Sequence, residues 1–328
     1  MLRRQCWLTA LVGIVLALGP LAVGLQAAEG SFDRTLRVTG PVELEVTTGS
    51  GNIQVRTGDS ASVHVHGIIK TSGNWGFGST GAEEKVRRLE ANPPIMQDGN
   101  FIRIGRIEDR ELRRNVSVSY ELSVPAHTQA KAEAGSGNVS LEGIDGPARA
   151  ESGSGNVTAE NIGNELSASS GSGDIHLNSI KGSVHGSTGS GTIRATSIAG
   201  AFLLSTGSGD VRLGEIAEGG GKVSTGSGNV EVTGVRGSLR VSAGSGNITA
   251  EGEPAGDWTL HSGSGEITLR LPAKASFDLD AHTDSGQIHF QRTITSQGTM
   301  AKGTLRGRVG SGGSRIEVRT GSGDIRIE

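Results

Sequence analysis

Gly153-Ser154-Gly155-Asn156-Val157-Thr158-Ala159 is followed eighteen residues later by Gly171-Ser172-Gly173-Asp174-Ile175-His176-Leu177. Eighteen residues further on comes Gly189-Ser190-Gly191-Thr192-Ile193-Arg194-Ala195. The Gly-Ser-Gly triplet occurs eleven times, and from Gly135 to Gly263 its steps are only 18 or 19 residues. A fixed short period over that many copies is the mark of stacked structural units. Within each unit apolar residues alternate with polar ones, as in Val157 and Ala159 or Ile175 and Leu177. Period two predicts strands with one buried face. A second aliphatic follows (Ile144, Ile162, Ile180, Ile198, Ile216, Val235), and then a second alternating stretch such as Phe202, Leu204, Thr206. Each unit therefore reads strand, corner, strand, corner.

About four aliphatics per unit, at roughly 1.5–3 kcal/mol each, fall short of the cost of ordering eighteen residues. Coils stacked in parallel solve this, because they share a narrow core and hydrogen-bond to the coils on either side. The expected fold is all-β: a parallel β-helix or solenoid of about 18 residues per coil. About eleven coils at roughly 4.8 Å each give a rod near 50 Å long. The crossover preference favours right-handed winding. Composition agrees with a narrow interior, since Gly supplies 54 of 328 residues and Phe, Trp and Tyr together only ten. The formal charge of −3 excludes a strongly basic nucleic-acid binder, and a single Cys excludes a disulfide scaffold.

The triplet is expected to form a sharp corner, two glycines permitting positive φ. Asn138, Asn156, Asp174, Asp210, Asn229 and Asn247 follow it as turn residues, and no two Asp fall on adjacent units. A spacing that avoids facing carboxylates is what a structural ladder would select.

Outside the regular repeats, residues 1–28 read as a signal peptide, with Arg3 and Arg4 before an apolar stretch and small residues at Ala27 and Ala28. An uncleaved anchor is the alternative. Residues 31–70 carry the first solenoid strands and coil, with Leu44, Val46, Ile53, Val55, Val63, Val65 and Ile68 as inward residues. Residues 71–114 break the pattern and read as an insertion or cap. It holds a flexible turn at Gly73–Gly81, a short helix over Ala82–Ala91 and a charged run from Arg106 to Arg114. Residues 115–328 are solenoid repeats, and the charged last strand suits an exposed end.

The units Gly153–Val157 and Gly207–Val211, with the lead-in Val118–Ala126, resemble the "putative adhesin" domain family of exported bacterial proteins. The resemblance implies a β-solenoid with an adhesin-like role, and it supplies no catalytic residues. The 71–114 insertion and the irregular spacing after Gly263 depart from that pattern.

Chemistry is sparse. Calcium-binding nonapeptide coils need Asp in each half-coil, whereas here one amide or acid follows the triplet, more often Asn. His64 and His66 share a strand face but lack an evident third metal ligand. Gly219-Gly220-Gly221-Lys222 runs into Val223 where a phosphate loop needs Ser or Thr. Arg103, Arg106, Arg110, Arg113 and Arg114 are offset by Glu108, Asp109 and Glu111 and read as a solvated edge.

Asp278, Asp280 and His282 alternate on one strand face at about 7 Å, a spacing within reach of glycosidase-type carboxylate pairs. They support the alternative reading, a carbohydrate-active β-helix enzyme of the polysaccharide lyase or hydrolase type. The main expectation is a non-enzymatic exported solenoid with no catalytic, cofactor or metal residues, placed in the periplasm, cell envelope or outside the cell. Its partner would be an envelope protein or polysaccharide, not nucleic acid, with membrane contact only through the leader. Its contact row would be His176, Arg194, Arg212 and Glu231.

Overall fold

A computed structural model describes residues 28–71, 79–216, 220–296 and 302–328. The expected leader and most of the turn at Gly73–Gly81 lie outside the described residues. The rest forms two long sheets, of 14 and 15 strands, joined rung by rung. One rung consists of a back strand such as Ala148–Ser152, the Gly-Ser-Gly corner, a front strand such as Val157–Ile162, and a second corner. Front strands pair only with front strands and back with back, in parallel and without register slip through most of the stack. Val157, Ile175, Ile193 and Val211 lie directly above one another, all fully buried. The aliphatics after the front strands, Ile144 through Val235, are buried as well. The all-β solenoid expected from the period is therefore the fold.

The glycines do a different job from the one expected. None of the repeat corners from Gly135 to Gly265 uses a positive φ. They are needed for close approach instead. A Cβ on Gly173 would lie 2.1 Å from the Gly155 carbonyl oxygen, and one on Gly155 would lie 2.2 Å from that of Gly137. Left-handed backbone belongs to the second corner, where Gly143, Asn161, Ser179, Ser197, Glu215 and Gly234 form a column with φ between 54° and 73°. None of these is β-branched, as that conformation demands.

A buried hydroxyl column, which the sequence reading passed over, locks the first corner. Ser170 Oγ donates to Gly155 O of the neighbouring rung at 2.9 Å and accepts from Gly173 N–H at 2.9 Å. Ser152, Thr188, Thr206 and Thr225 repeat the arrangement. Burying a polar group is tolerable when both donor and acceptor capacity are met.

Chain order and stacking order part company at both ends. The rung Val42–Thr48 and Ile53–Thr57 lies between the rung formed by Phe101–Ile104 and Val116–Val124 and the rung formed by Thr128–Ala134 and Val139–Glu142. At the other end, Ser314–Thr320 and Ile325–Ile327 slot between Trp258–Ser262 with Ile267–Arg270 and Phe277–Thr283 with Ile288–Phe290. The last strand of the chain is thus an interior strand and not the exposed end that its charges suggested. Its arginines and acids project from the sheet face while Ile316, Val318, Ile325 and Ile327 are buried. Gly310-Ser311-Gly312 also leaves the column. It forms a turn with φ of 58° at Gly310 and 76° at Gly312.

Antiparallel strands finish the stack. Ser62–Thr71 lies antiparallel on Val116–Val124, and Glu29–Arg37 lies antiparallel on Ser62–Thr71. In the former strand Val63, Val65 and Ile69 point inward, not Ile68, because Gly67 takes the inward place against the Phe32 ring. The helix Ser79–Ala91 buries Val86 and Leu89. It is tied to the outermost strand by Glu90, whose carboxylate accepts from Ser31 N–H. A second helix, the single turn Arg110–Arg113, sits in the charged run and is capped by Asp109. Thr304–Val309 covers Phe277–Thr283 at the opposite end.

Candidate functional site

The turn amides were weighed as calcium ligands, and the structure gives them another task. Asn138 Oδ1 accepts from Asn156 N–H and Asn156 Oδ1 from Asp174 N–H, each at 2.9 Å. Asp174 Oδ1 accepts from Thr192 N–H at 2.8 Å, and Asp210 Oδ1 from Asn229 N–H at 2.9 Å. Each side chain satisfies the backbone of the next rung.

His64 and His66 acquire a neighbour that lies far off in sequence. Asp33, on the adjoining antiparallel strand, places Oδ1 2.9 Å from His66 Nδ1 and 3.6 Å from His64 Nε2. Thr35 Oγ1 lies 3.3 Å from His64 Nδ1. Among the described residues no group of three or more His, Cys, Asp or Glu is arranged to hold a metal ion. The cluster stands as a hydrogen-bonded strand face.

Asp278, Asp280 and His282 do share a face, and all three are engaged. Arg308 Nε meets Asp278 Oδ1 at 3.1 Å. Asp280 receives Arg306 at 2.9 Å and Arg315 at 3.4 Å. His282 sits between Thr304 Oγ1 and Asp284 Oδ1, each at 2.9 Å. These pairs tie the covering strand Thr304–Val309 and the inserted strand Ser314–Thr320 to the strand between them.

Of the basic stretch, the Arg103 side chain is engaged while Arg106, Arg110, Arg113 and Arg114 lie exposed. Arg103 pairs with Glu45 at 2.7 Å and lies 5.0 Å over the Phe101 ring. The backbone carbonyl of Arg114 accepts from Lys85 Nζ at 3.0 Å. In the glycine run, Gly221 takes an inward place beneath Phe202, and Lys222 projects from the back sheet.

The front row His176, Arg194, Arg212 and Glu231 is aligned on consecutive rungs. Its charges are largely answered locally. Arg194 lies 3.5 Å from Asp174 and 3.3 Å from His176 Nε2. Arg212 lies 3.0 Å from Asp210 and 3.8 Å from Glu231.

The back sheet carries a second row that the sequence reading missed. Lys131, Arg149, His185, Lys222 and Arg240 fall in one column. The signal was present, since Arg149, His185, Lys222 and Arg240 each occupy the second position of a back strand and Lys131 the fourth of a longer one. It emerges only when the units are aligned through both the 18- and 19-residue steps. Lys131 Nζ bonds Glu133 at 2.9 Å, and that hydrogen bond first, then the carboxylate charge, raise the ammonium above its ordinary range. Arg149 is likewise paired with Glu151. Beside the column lie two grooves. One of about 460 Å³ is lined by Lys222, Arg240, Ser238, Asp257 and Arg315, and one of about 410 Å³ by Lys131, Arg149 and His185.

The family model described as Toastrack DUF4097 matches residues 25–328. No curated protein matches the chain. Two solved structures are similar, each at 12% identity. One, a "putative cell adhesion protein" from Clostridium sporogenes ATCC 15579, aligns over 92% of this chain and 99% of its own, with a TM-score of 0.21. The other, a "putative adhesin" from Bacteroides fragilis NCTC 9343, aligns over 93% of this chain and 100% of its own, with a TM-score of 0.29.

Proposed function

The chain belongs to the Toastrack DUF4097 family, and from that premise we propose a non-enzymatic, adhesin-like solenoid. It presents repetitive outward faces to a component of the cell envelope, after export to the periplasm, envelope or exterior. The observation that supports this reading is the parallel stacking itself. Rungs in common register turn every outward position into a straight row, which creates wide flat areas suited to recognition. The carboxylates best placed for glycoside chemistry, Asp278 and Asp280, are meanwhile taken up by arginines of neighbouring strands.

The test is retention of envelope material on the immobilised chain. A specific component retained by the wild type, and lost from Arg194→Glu/Arg212→Glu with unchanged circular dichroism, supports contact through the front row. Retention of nothing from any envelope fraction ends the binding reading. Turnover on a polysaccharide panel that disappears in Asp278→Asn or Asp280→Asn replaces it with the enzymatic one.

A further inference from the structure

We infer that the back sheet is the docking face for an acidic polysaccharide, laid along the rod axis and gripped by Lys222 and Arg240. This deepens the binding reading above and rests on it. The argument begins with two neighbouring columns. Where Lys131 and Arg149 have Glu133 and Glu151 two residues on, Lys222 and Arg240 have Ser224 and Ser242. The acid column gives way to serine at Ser169 and stays serine through Ser242. Among the described residues neither Lys222 nor Arg240 has an ion-pair partner. They sit on adjacent rungs, about 4.8 Å apart. Two cations at that spacing repel unless an anion lies across them.

No acid interrupts the column from Lys131 to Thr259. That segregation occurs in a chain whose formal charge is −3, so overall basicity does not explain it. The two grooves lie along this column, one beside each group of cations. Leu203, 39% exposed, stands between them as an apolar step on which the C–H face of a sugar ring can rest. A ligand for this surface needs negative charge repeated along a line and hydroxyl groups to meet the serine column.

Other polymers fit less well. The column has no Phe, Tyr or Trp, and Trp258 at the groove is wholly buried, so His185 is its one ring and a run of nucleobases finds no stacking platform. Each interior back strand is already hydrogen-bonded on both sides, so a peptide cannot join as an added strand.

The test uses the full chain on a biosensor with three probes: polygalacturonate, a neutral galactan and inorganic polyphosphate. Polygalacturonate is expected to bind, with affinity falling as salt rises. Lys222→Gln/Arg240→Gln should weaken it on the order of tenfold to a hundredfold, the loss of two charge-assisted contacts. Lys222→Glu/Arg240→Glu should abolish it, and Arg87→Glu/Arg88→Glu on the helix Ser79–Ala91, outside both rows, should leave it unchanged. All these side chains are exposed, and circular dichroism checks that the rungs persist. Wild-type affinity in the Gln pair, or equal binding of the neutral galactan, overturns the inference. Equal binding of polyphosphate overturns the carbohydrate class. A chain that retains envelope material yet ignores polygalacturonate loses only this inference, whereas one that retains nothing loses the binding reading too.

Discussion

Replacing Gly173 with Ala is the most direct test of why the repeat is built on glycine. The added Cβ would stand 2.1 Å from Gly155 O and 2.4 Å from the Gly155 carbonyl carbon. An ordinary contact needs more than 3 Å, so the two rungs must part by about 1 Å. Four hydrogen bonds cross between the rungs there: Gly171 N–H to Ser152 O, Ser170 Oγ–H to Gly155 O, Asp174 N–H to Asn156 Oδ1, and Val157 N–H to Asp174 O, at 2.9–3.0 Å. Loosening them at roughly 1 kcal/mol apiece predicts a loss of about 3–4 kcal/mol. Gly49 supplies an internal control, because a Cβ there meets nothing within 4 Å. With no positive φ to strain, Gly49→Ala should be neutral or stabilise by about 0.4–1 kcal/mol through the unfolded chain. Thermal melting followed by circular dichroism reads the difference. Amide exchange should localise the Gly173 effect to the rungs on either side. If corner torsion were what glycine supplies, both substitutions would destabilise alike, and that result would refute the close-approach account.

Three further outcomes follow from the packing. The Tyr120 hydroxyl is buried without a hydrogen-bond partner, and burial pushes its pKa up, so Tyr120→Phe should raise stability by about 1 kcal/mol in urea denaturation. At the second corner, Ser179 holds φ at 58°; Ser179→Gly should gain about 0.5 kcal/mol and Ser179→Val should lose more than about 1 kcal/mol, measured the same way. Truncation after Gly313 removes the inserted rung, so residues 277–309 should become accessible to limited proteolysis while the rungs before Arg270 stay protected.

The sequence announced the solenoid because its cause is local and repeated. Val157, Ile175, Ile193 and Val211 share one position per period, and stacking that position is the fold. The order of the terminal rungs was not legible for the same reason. Ile316 and Val318 carry the same inward pattern as Leu279 and Ala281, so alternation alone cannot tell which pair lies against Leu260. Gly310-Ser311-Gly312 copies the repeat motif without occupying its column, whereas Asp284-Ser285-Gly286, a poorer copy, does occupy it, with Gly286 stacked against Gly323. Asp33 joined His64 and His66 only through antiparallel pairing, which no spacing encodes. The back-sheet cations were readable in principle, but Lys222 sits behind a glycine run and 19 residues after Leu203, which puts it and Arg240 out of phase with the 18-residue period.

The threading of Ser314–Thr320 carries a consequence for biogenesis. Chains emerge from the ribosome N-terminus first, and most solenoid turns can add to a growing template as they appear. Here the place between Trp258–Ser262 and Phe277–Thr283 stays open until Ser314–Thr320 has been made. That segment acts as a keystone: a polypeptide cut before Ser314 keeps an unpaired seam between the two strands it joins.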